Sequence, residues 1–288
     1  MSVDINELVN RLERYNTAYR AGTPEIDDTA YDNLVEMLRL LDADHPYLNA
    51  VEPEALSSGR SVTHKRAMLS TEKAYDEDAL ARFVERVEKA AAEIGVNALG
   101  FRVTPKLDGI AGNDEDHILA SRGNGRVGND ITHIFNRGVR VLGERNLGAG
   151  EVVMVESYFK KHFSEEFKHP RNMVVGIVNA DEINPSARRA LVEGQVHFVP
   201  YANLANWEGS GAELVAGIQG ITAELTAQVD YPLDGMVAET THPEVKRYMG
   251  ATSHHHRWQI AIKNRGETAE MIIQSIGWQT GRTGTVTP

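Results

Sequence analysis

The stretch FRVTPKLDG, residues 101–109, decides both the fold and the chemistry predicted for this chain. FRVTPK is rich in residues that favour β-structure, so it predicts a strand that ends at Lys106. A lysine amine attacks phosphorus only when it is unprotonated, and a desolvated strand end beside other cations favours that form. Gly109 allows close backbone approach, and Asp108 adds a carboxylate that could hold a divalent ion or orient a leaving group. The motif is weak alone, because a surface turn with an exposed lysine would look the same.

Five further motifs follow KLDG in order, and the ordered set is far more specific than any member. Together they indicate a lysine that accepts a nucleotide covalently. The motifs are SRGNGRVGND (121–130), HPRN (169–172), LDGMV (233–237), RWQIAIK (257–263) and GRTGTVTP (281–288).

Composition restricts the class of protein. The 288 residues suffice for one large domain or two smaller ones, and we favour two. Cysteine is absent, so disulfides and thiolate zinc sites are excluded and a cytoplasmic location is expected. No hydrophobic run reaches the length of a bilayer span, and the net charge of −11 argues against nonspecific nucleic-acid binding over the whole surface. Basic residues between Arg122 and Arg171 predict one basic face, although a solvated charged surface would also explain them.

The order of predicted elements gives an α+β chain. Apolar residues at helical spacing over 3–20, and from Tyr31 to Leu41 after an Asp28 cap, predict a helical hairpin. The Pro, Ser and Gly content of 46–62 predicts a linker, so we place domains at 1–60 and 61–288. A helix capped by Asp76 follows. The runs FRVTPK, EVVMVE, QVHFVP, GMVAET and RWQIAIK then predict antiparallel sheets.

These motifs closely resemble, in order and rough spacing, the adenylation domain of bacterial NAD-dependent DNA ligases. Upstream, TPEIDDTAYDNL and HPYL resemble the helical domain of that family, which recognises the nicotinamide mononucleotide half of NAD, and AMLSTEKAY resembles its MLSL segment. The resemblance covers nearly the whole chain. It implies a helical hairpin domain followed by a nucleotidyltransferase domain that is ATP-grasp-like, with antiparallel sheets.

The resemblance implies a catalytic set and a metal. Lys106 would be the residue adenylated by NAD, with nicotinamide mononucleotide as the leaving group. Asp108, Asp234 and Lys263 would be catalytic with it, and Lys263 would contact the α-phosphate. Asp108 and Asp234 would also hold Mg²⁺ or Mn²⁺. The alternative interpretation is that Lys263 is an ordinary surface lysine at the end of a strand and has no catalytic role.

The resemblance also implies residues that bind NAD and DNA. Glu156 in MVESYF matches the glutamate that holds the adenosine ribose, with Glu151 as the alternative if the strand is shifted. Asp28 and Tyr31 could equally be a helix cap and a core residue. Arg122 and Arg171 are expected to contact DNA. The full set expected to bind NAD is Asp28, Tyr31, Asp32, Ser70, Thr71, Thr104, Leu107, Arg122, Glu156 and Val237.

The chain departs from the family pattern at several positions. Thr104 replaces the glutamate that reads the adenine amino group, and Glu239 replaces the lysine of the DGVVIK strand. The second DNA-contacting arginine falls on Asn179, and an aromatic–His pair becomes Ala18 and Tyr19. These changes keep two alternatives open: a nucleotidyltransferase that uses ATP, and a catalytically silent or regulatory subunit that binds DNA or nucleotide.

The family continues beyond GRTGTVTP into an oligonucleotide-binding barrel, a zinc finger and helix-hairpin-helix repeats. The resemblance therefore implies nicked double-stranded DNA as a partner. It further implies either a shortened chain or a second subunit that carries the OB-fold and helix-hairpin-helix domains, as in the split ligases of some bacteriophages. The cell would be bacterial or phage-infected. The adjacent residues His254 to His256 do not predict a metal site, because neighbours on a strand point to opposite faces.

Overall fold

Helices and strands follow one another irregularly in the computed structural model, which describes residues 4–20, 25–26, 28–43, 45–49, 60–180, 182–263, 279–280 and 286–287. The helices are α1 (Ile5–Arg20), α2 (Asp28–Leu41), α3 (Pro46–Asn49), α4 (Glu77–Glu93), α5 (His133–Arg137), α6 (Glu156–His162), α7 (Pro170–Asn179), α8 (Pro185–Val192), α9 (Gly211–Ala227) and α10 (Pro243–Met249). The strands are β1 (Ser61–Thr63), β2 (Ser70–Ala74), β3 (Phe101–Leu107), β4 (Ile110–Glu115), β5 (Ile118–Ser121), β6 (Val127–Asn129), β7 (Arg140–Val141), β8 (Gly148–Met154), β9 (Val196–Pro200), β10 (Trp207–Gly209), β11 (Leu233–Thr240), β12 (His255–Ile262), β13 (Gln279–Thr280) and β14 (Val286–Thr287). The α+β class is confirmed.

The N-terminal helices α1 and α2 form the predicted hairpin. Leu8 and Leu12 on α1 are buried against Leu38 on α2, because the apolar residues of both helices recur at helical spacing. Leu41 was expected on the same stripe, but it is 44% exposed. Asp28 is the first residue of α2 rather than the residue before it.

One sheet, which we call the first sheet, has the strand order β10-β3-β11-β12-β2. Helices α4 and α9 cover one face of it, where Phe83 of α4 meets Phe101 of β3 edge to face at 6.3 Å between ring centroids. The predicted cap of α4 is confirmed, since Asp76 accepts a hydrogen bond from the Ala79 N–H at 2.8 Å. Side chains alternate along β3, so Lys106 lies on the face opposite that core.

The other sheet, the second sheet, has the strand order β5-β4-β8-β9-β7. Residues from α5, α6, α7 and α8 complete its core. Most strand pairs in both sheets are antiparallel, as predicted, but β12 pairs with β2 and β7 pairs with β9 in parallel. The two sheets are therefore mixed rather than purely antiparallel.

The chain passes from the first sheet to the second at Asp108 and Gly109, between β3 and β4. Leu107 packs there in a small buried cluster with Val153, which belongs to the second sheet. Gly109 is required at this crossing, because a Cβ at that position would lie 2.0 Å from the Val152 carbonyl oxygen. The KLDG motif therefore lies where the two sheets meet.

Candidate active site

Lys106, Asp234 and Lys263 form one hydrogen-bonded cluster. The Lys106 Nζ donates to Asp234 Oδ2 at 2.7 Å, and the Lys263 Nζ lies 2.9 Å from Asp234 Oδ1. The three residues come from the end of β3, the second position of β11 and the residue after β12. Because these strands are neighbours in the first sheet, residues separated by up to 157 positions in sequence meet at one edge.

Asp234 is ionised near neutral pH. Burial alone would raise the pKa of Asp234, but the ammonium groups of Lys106 and Lys263 outweigh burial and hold that pKa below its ordinary value. A carboxylate between two ammonium groups keeps both lysines at fixed positions. It also neutralises part of the positive charge that two close lysines would otherwise concentrate.

Gly235 allows Lys263 to reach the cluster with Lys106 and Asp234. Its φ of +104° lies in the region that favours glycine, and a Cβ there would lie 2.1 Å from the Ile262 carbonyl oxygen. β11 can therefore approach the end of β12 closely. Only 11% of the Lys263 side chain is exposed as a result of this packing.

Asp108 forms a second ion pair beside the first. Its carboxylate is buried and accepts a hydrogen bond from the Arg171 Nη1 at 3.0 Å, and the His169 Nε2 lies 3.6 Å from its other oxygen. The HPRN sequence explains this position: His169 caps α7, Pro170 starts it, and Arg171 lies in its first turn. The first turn of α7 is thereby fixed against the KLDG crossing.

Glu151 on β8 faces the same crossing from the second sheet. The residue is 7% exposed, and its carboxyl accepts hydrogen bonds from the Gly109 N–H at 3.2 Å and from the Tyr201 hydroxyl. Burial raises the pKa of Glu151 to about 7, although the Tyr201 hydroxyl and the charges of Lys106 and Arg171 act in the opposite direction.

The structure places Glu151, and not Glu156, in the site. The strand that contains EVVM ends at Met154, and Glu156 is the first residue of α6, where it pairs with Lys160 at 2.8 Å. The sequence prediction took the later glutamate, because the match of MVESYF to the family pattern does not fix the position of the strand against that pattern. Tyr201 was missed altogether, because it is 50 residues from Glu151 and belongs to no recognised motif.

Arg122 begins a glycine-rich turn that follows β5. Its N–H donates to the Ala111 carbonyl oxygen at 2.9 Å, which fixes the turn to β4. The Nε of Arg122 is buried and has no hydrogen-bond partner among the residues that the structure describes. Buried donors in proteins are normally hydrogen-bonded, so the Arg122 Nε–H requires an acceptor.

The other positions predicted to bind NAD fall into three groups. Thr104 of β3 is paired directly with Val237 of β11, on the face of the sheet that Lys106 also occupies. Ser70 and Thr71 lie on β2, at the edge of the same sheet. Leu107 is only 4% exposed and packs between the sheets, so its side chain does not face a ligand.

In the helical hairpin, Tyr31 is half-buried and its hydroxyl lies 2.7 Å from that of Tyr47. It packs with the core of the hairpin. The side chains of Asp28 and Asp32, and nearly all of the GRTGTVTP motif, lie outside what the structure describes.

The described residues do not form a ready metal site. Both oxygens of Asp234 are held by lysines, and Arg171 holds one oxygen of Asp108. Within the described ranges, no group of three His, Asp or Glu side chains could hold a metal ion, and this includes the region of His254 to His256. The prediction that Asp108 and Asp234 bind a divalent ion directly therefore finds no preformed geometry here. In the same ranges, no helix is long and apolar enough to cross a membrane.

The domain has two mostly antiparallel sheets, and at their junction a lysine lies among carboxylates and cations. This arrangement is that of a domain of the nucleotidyltransferase type. Comparison with known families gives the narrower assignment. Residues 56–208 match the family described as the NAD-dependent DNA ligase adenylation domain, and residues 1–53 match the family described as the DNA ligase-like, N-terminal NAD+-binding domain. The chain belongs to the NAD-dependent DNA ligase adenylation domain family.

Curated relatives agree with this assignment. A protein named DNA ligase from Desulfatibacillum aliphaticivorans is 56% identical over 277 residues, which cover 96% of this chain and 44% of that protein. Proteins of the same name from Psychromonas ingrahamii and Shewanella baltica are 40% and 39% identical over 291 and 287 residues, which cover 100% and 98% of this chain and 45% and 44% of theirs. The chain thus spans about half the length of the curated relatives it matches.

Proposed function

We propose that this chain is the self-adenylating part of an NAD-dependent DNA ligase, with Lys106 as the nucleophile. The observation that carries the proposal is the cluster in which Lys106 and Lys263 share the two oxygens of Asp234. A nucleotidyl transfer needs a nucleophilic amine and fixed positive charge around the α-phosphate, and the cluster offers both within one hydrogen-bonded group.

In the proposed reaction, Lys106 leaves Asp234, loses its proton to solvent and attacks the α-phosphorus of NAD. A P–N bond forms, and the P–O bond to nicotinamide mononucleotide breaks with its electron pair on the departing phosphate. Lys263 is bonded to the other oxygen of Asp234, so it can go on neutralising that carboxylate after Lys106 has turned away. Arg171, bonded to Asp108, would add positive charge beside the phosphates.

Binding of the adenosine is proposed to use both sheets. Glu151 is the residue whose position suits the ribose hydroxyls, since carboxylate oxygens accept hydrogen bonds and Glu151 lies beside the KLDG crossing. Thr104 and Val237 would lie under the base, Ser70 and Thr71 would border it, and the Arg122 guanidinium would contact the ribose.

Further binding proposals concern nicotinamide, metal and DNA. Tyr31 with Asp28 and Asp32 would bind the nicotinamide mononucleotide half. Mg²⁺ or Mn²⁺ would arrive with the nucleotide, bound by phosphate oxygens and water, and would supply charge neutralisation. Arg122 and Arg171 would contact nicked double-stranded DNA after adenylation. The cytoplasm of a bacterial or phage-infected cell, where NAD and DNA occur together, is the proposed location.

We also propose that nick sealing draws on a DNA-clamping element, carried either by a longer form of this chain or by a second subunit. What supports an additional element is length: the ligase-named relatives are each about twice as long as the stretch they share with this chain. The whole reaction on DNA is therefore tested separately from adenylation. Sealing of a labelled nick should be measured for the chain alone and with candidate clamping domains added.

Intact-protein mass spectrometry tests the proposal most directly. The chain is incubated with Mg²⁺ and either NAD or ATP, and Lys106→Ala is the control variant. A gain of one adenylate with NAD, absent from Lys106→Ala, is the expected result. A gain with ATP alone would favour the ATP-dependent alternative, and an adduct that persists in Lys106→Ala would refute the assignment of the nucleophile. NAD binding without any adduct would favour the silent subunit.

A further inference from the structure

His64 is a buried side chain that the proposed reaction leaves without a role. His64 follows β1, and the residue is 9% exposed. The Nε2 lies 3.0 Å from the Ser121 carbonyl oxygen and 3.2 Å from the Arg122 carbonyl oxygen. The Nδ1 is buried with no hydrogen-bond partner among the described residues. These contacts fit an imidazole that carries its proton on Nε2 and donates it to the two carbonyls together.

The two carbonyls open the glycine-rich turn that contains Arg122. The Arg122 carbonyl oxygen also accepts the Gly125 N–H at 2.9 Å, and that bond closes the turn. The backbone around His64 also bonds to the turn. The His64 N–H donates to the Arg126 carbonyl oxygen at 2.9 Å, and the Met68 N–H donates to the Gly125 carbonyl oxygen at 2.7 Å. The imidazole is therefore one of several bonds between the segment 61–68 and the turn, and it is the one directed at Arg122.

Gly128 lies close to the imidazole and to one of the carbonyls that the imidazole contacts. Gly128 lies on the far side of the turn, where an added Cβ would be 1.7 Å from the Ser121 carbonyl oxygen and 3.1 Å from the His64 Nε2. A side chain at 128 would clash with the Ser121 carbonyl oxygen and lie tightly against the imidazole, so glycine is required at this position.

We propose that His64 is a positioning residue for Arg122. By holding the carbonyls of Ser121 and Arg122, the imidazole sets the direction in which the Arg122 guanidinium leaves the turn toward the nucleotide and the nicked DNA. The Nε of that guanidinium is buried and has no hydrogen-bond partner in the described structure, so the Nε itself is not held by a protein acceptor and the backbone of the turn can control where it points. The proposal rests on the proposed function through the role of Arg122.

The test uses a graded pair of substitutions and a matched control in the 288-residue chain. His64→Leu removes the donor and keeps the bulk, whereas the side-chain amide of His64→Gln can replace the Nε2–H. His133→Leu is the control, because the His133 Nε2 lies 3.2 Å from the Val178 carbonyl oxygen, outside the turn. Rates of lysyl-adenylate formation are measured at varied NAD, together with thermal unfolding.

We expect His64→Leu to slow adenylate formation about tenfold, because loss of the imidazole hydrogen bonding to the turn costs about 1.4 kcal/mol, which is a tenfold change in rate. His64→Gln should recover most of that loss, and His133→Leu should react like the parent. In an Arg122→Ala background, His64→Leu should have no further effect, since both changes remove the same interaction. A full additional tenfold loss in that background would overturn the proposal, because His64 would then act independently of Arg122.

A second measurement does not depend on activity. Hydrogen exchange of the Arg122 and Gly125 amides should accelerate in His64→Leu and remain slow in His64→Gln and His133→Leu. Unchanged exchange in His64→Leu would overturn the proposal even if the reaction slowed. Should the parent chain form no adduct, the proposed function fails, while exchange and NAD binding still decide whether His64 positions Arg122.

Discussion

Replacing Glu151 with glutamine should stabilise the protein at pH 8 and leave its stability almost unchanged at pH 4.5. Glutamine has the same shape, its oxygen can accept the Gly109 N–H, and its amide can donate to the Tyr201 hydroxyl. The difference between the two proteins is therefore chiefly the ionisation of one buried carboxyl. That ionisation is unfavourable in the folded state, because burial raises the pKa of Glu151 to about 7.

The magnitude follows from the two pKa values. Below pH 4.5, the ordinary pKa of glutamate, the carboxyl is protonated in both the folded and the unfolded chain. Between pH 4.5 and about 7 the unfolded chain ionises while the folded chain keeps its proton, so the free energy of unfolding falls as pH rises. Above that range the loss is complete. At 1.36 kcal/mol per pH unit it amounts to about 3 kcal/mol.

Urea unfolding at pH 4.5, 6 and 8 measures this difference. The free energy of unfolding of Glu151→Gln minus that of the parent should grow by about 3 kcal/mol from pH 4.5 to pH 8. Glu156→Gln is the control, because the Glu156 carboxylate pairs with the exposed Lys160, and ion pairs of this kind contribute little. A constant difference across the pH range would refute the argument that the folded protein buries this carboxyl at a cost. Adenylation by Glu151→Gln should fall, since an amide is a poorer acceptor for ribose hydroxyls.

Three further substitutions test neighbouring parts of the argument. Tyr201→Phe removes a hydroxyl that lowers the pKa of Glu151, so the variant should go on losing stability above pH 7, where the loss in the parent is complete. An identical dependence of unfolding on pH in the two proteins would contradict this. Gly235→Ala should destabilise the chain by at least about 2 kcal/mol, because Gly235 has a positive φ and the Ile262 carbonyl oxygen of β12 lies close to it. The control Gly220→Ala lies within α9 with open space around it, and it should stabilise the chain by about 1 kcal/mol. Equal thermal shifts of the two variants would contradict the argument that Gly235 relieves backbone strain. Phe83→Ala, fully buried under the first sheet, should cost about 3–5 kcal/mol in urea unfolding, and a cost below 1 kcal/mol would mean that the α4 interface is not packed as described.

Much of the fold could be predicted because local signals and tertiary packing agree. The Asp76 cap and the apolar stripe of α4 both follow from local sequence, and the structure confirms them. The strands around Lys106 and Lys263 were found from β-rich runs for the same reason. The parallel pairing of β12 with β2 could not be predicted, because a pairing between strands far apart in sequence leaves no local pattern.

The site was predicted unevenly, and the reason is again distance in sequence. Residues inside short motifs, such as Lys106, Asp234 and Lys263, were identified, and the structure brings them together. Glu156 was preferred to Glu151, because only the folded strand shows which glutamate faces the KLDG crossing. The roles assigned to all of these residues are still predictions.

The charge reversal at Glu239 bears on whether the site can still bind phosphates. Glu239 does not face the site as an isolated negative charge, since Lys246 of α10 lies 3.0 Å from its carboxylate and 4.4 Å from the ring centroid of Trp258. An ion pair of this kind cancels most of the field that either charge would produce at longer range. Lys106, Lys263 and Arg171 then outnumber the carboxylates that hold them, Asp234 and Asp108. Because Glu151 is only partly ionised near pH 7, the cluster has an excess of positive charge before Lys106 loses its proton, so the charge reversal at Glu239 does not prevent the site from binding a nucleotide's phosphates.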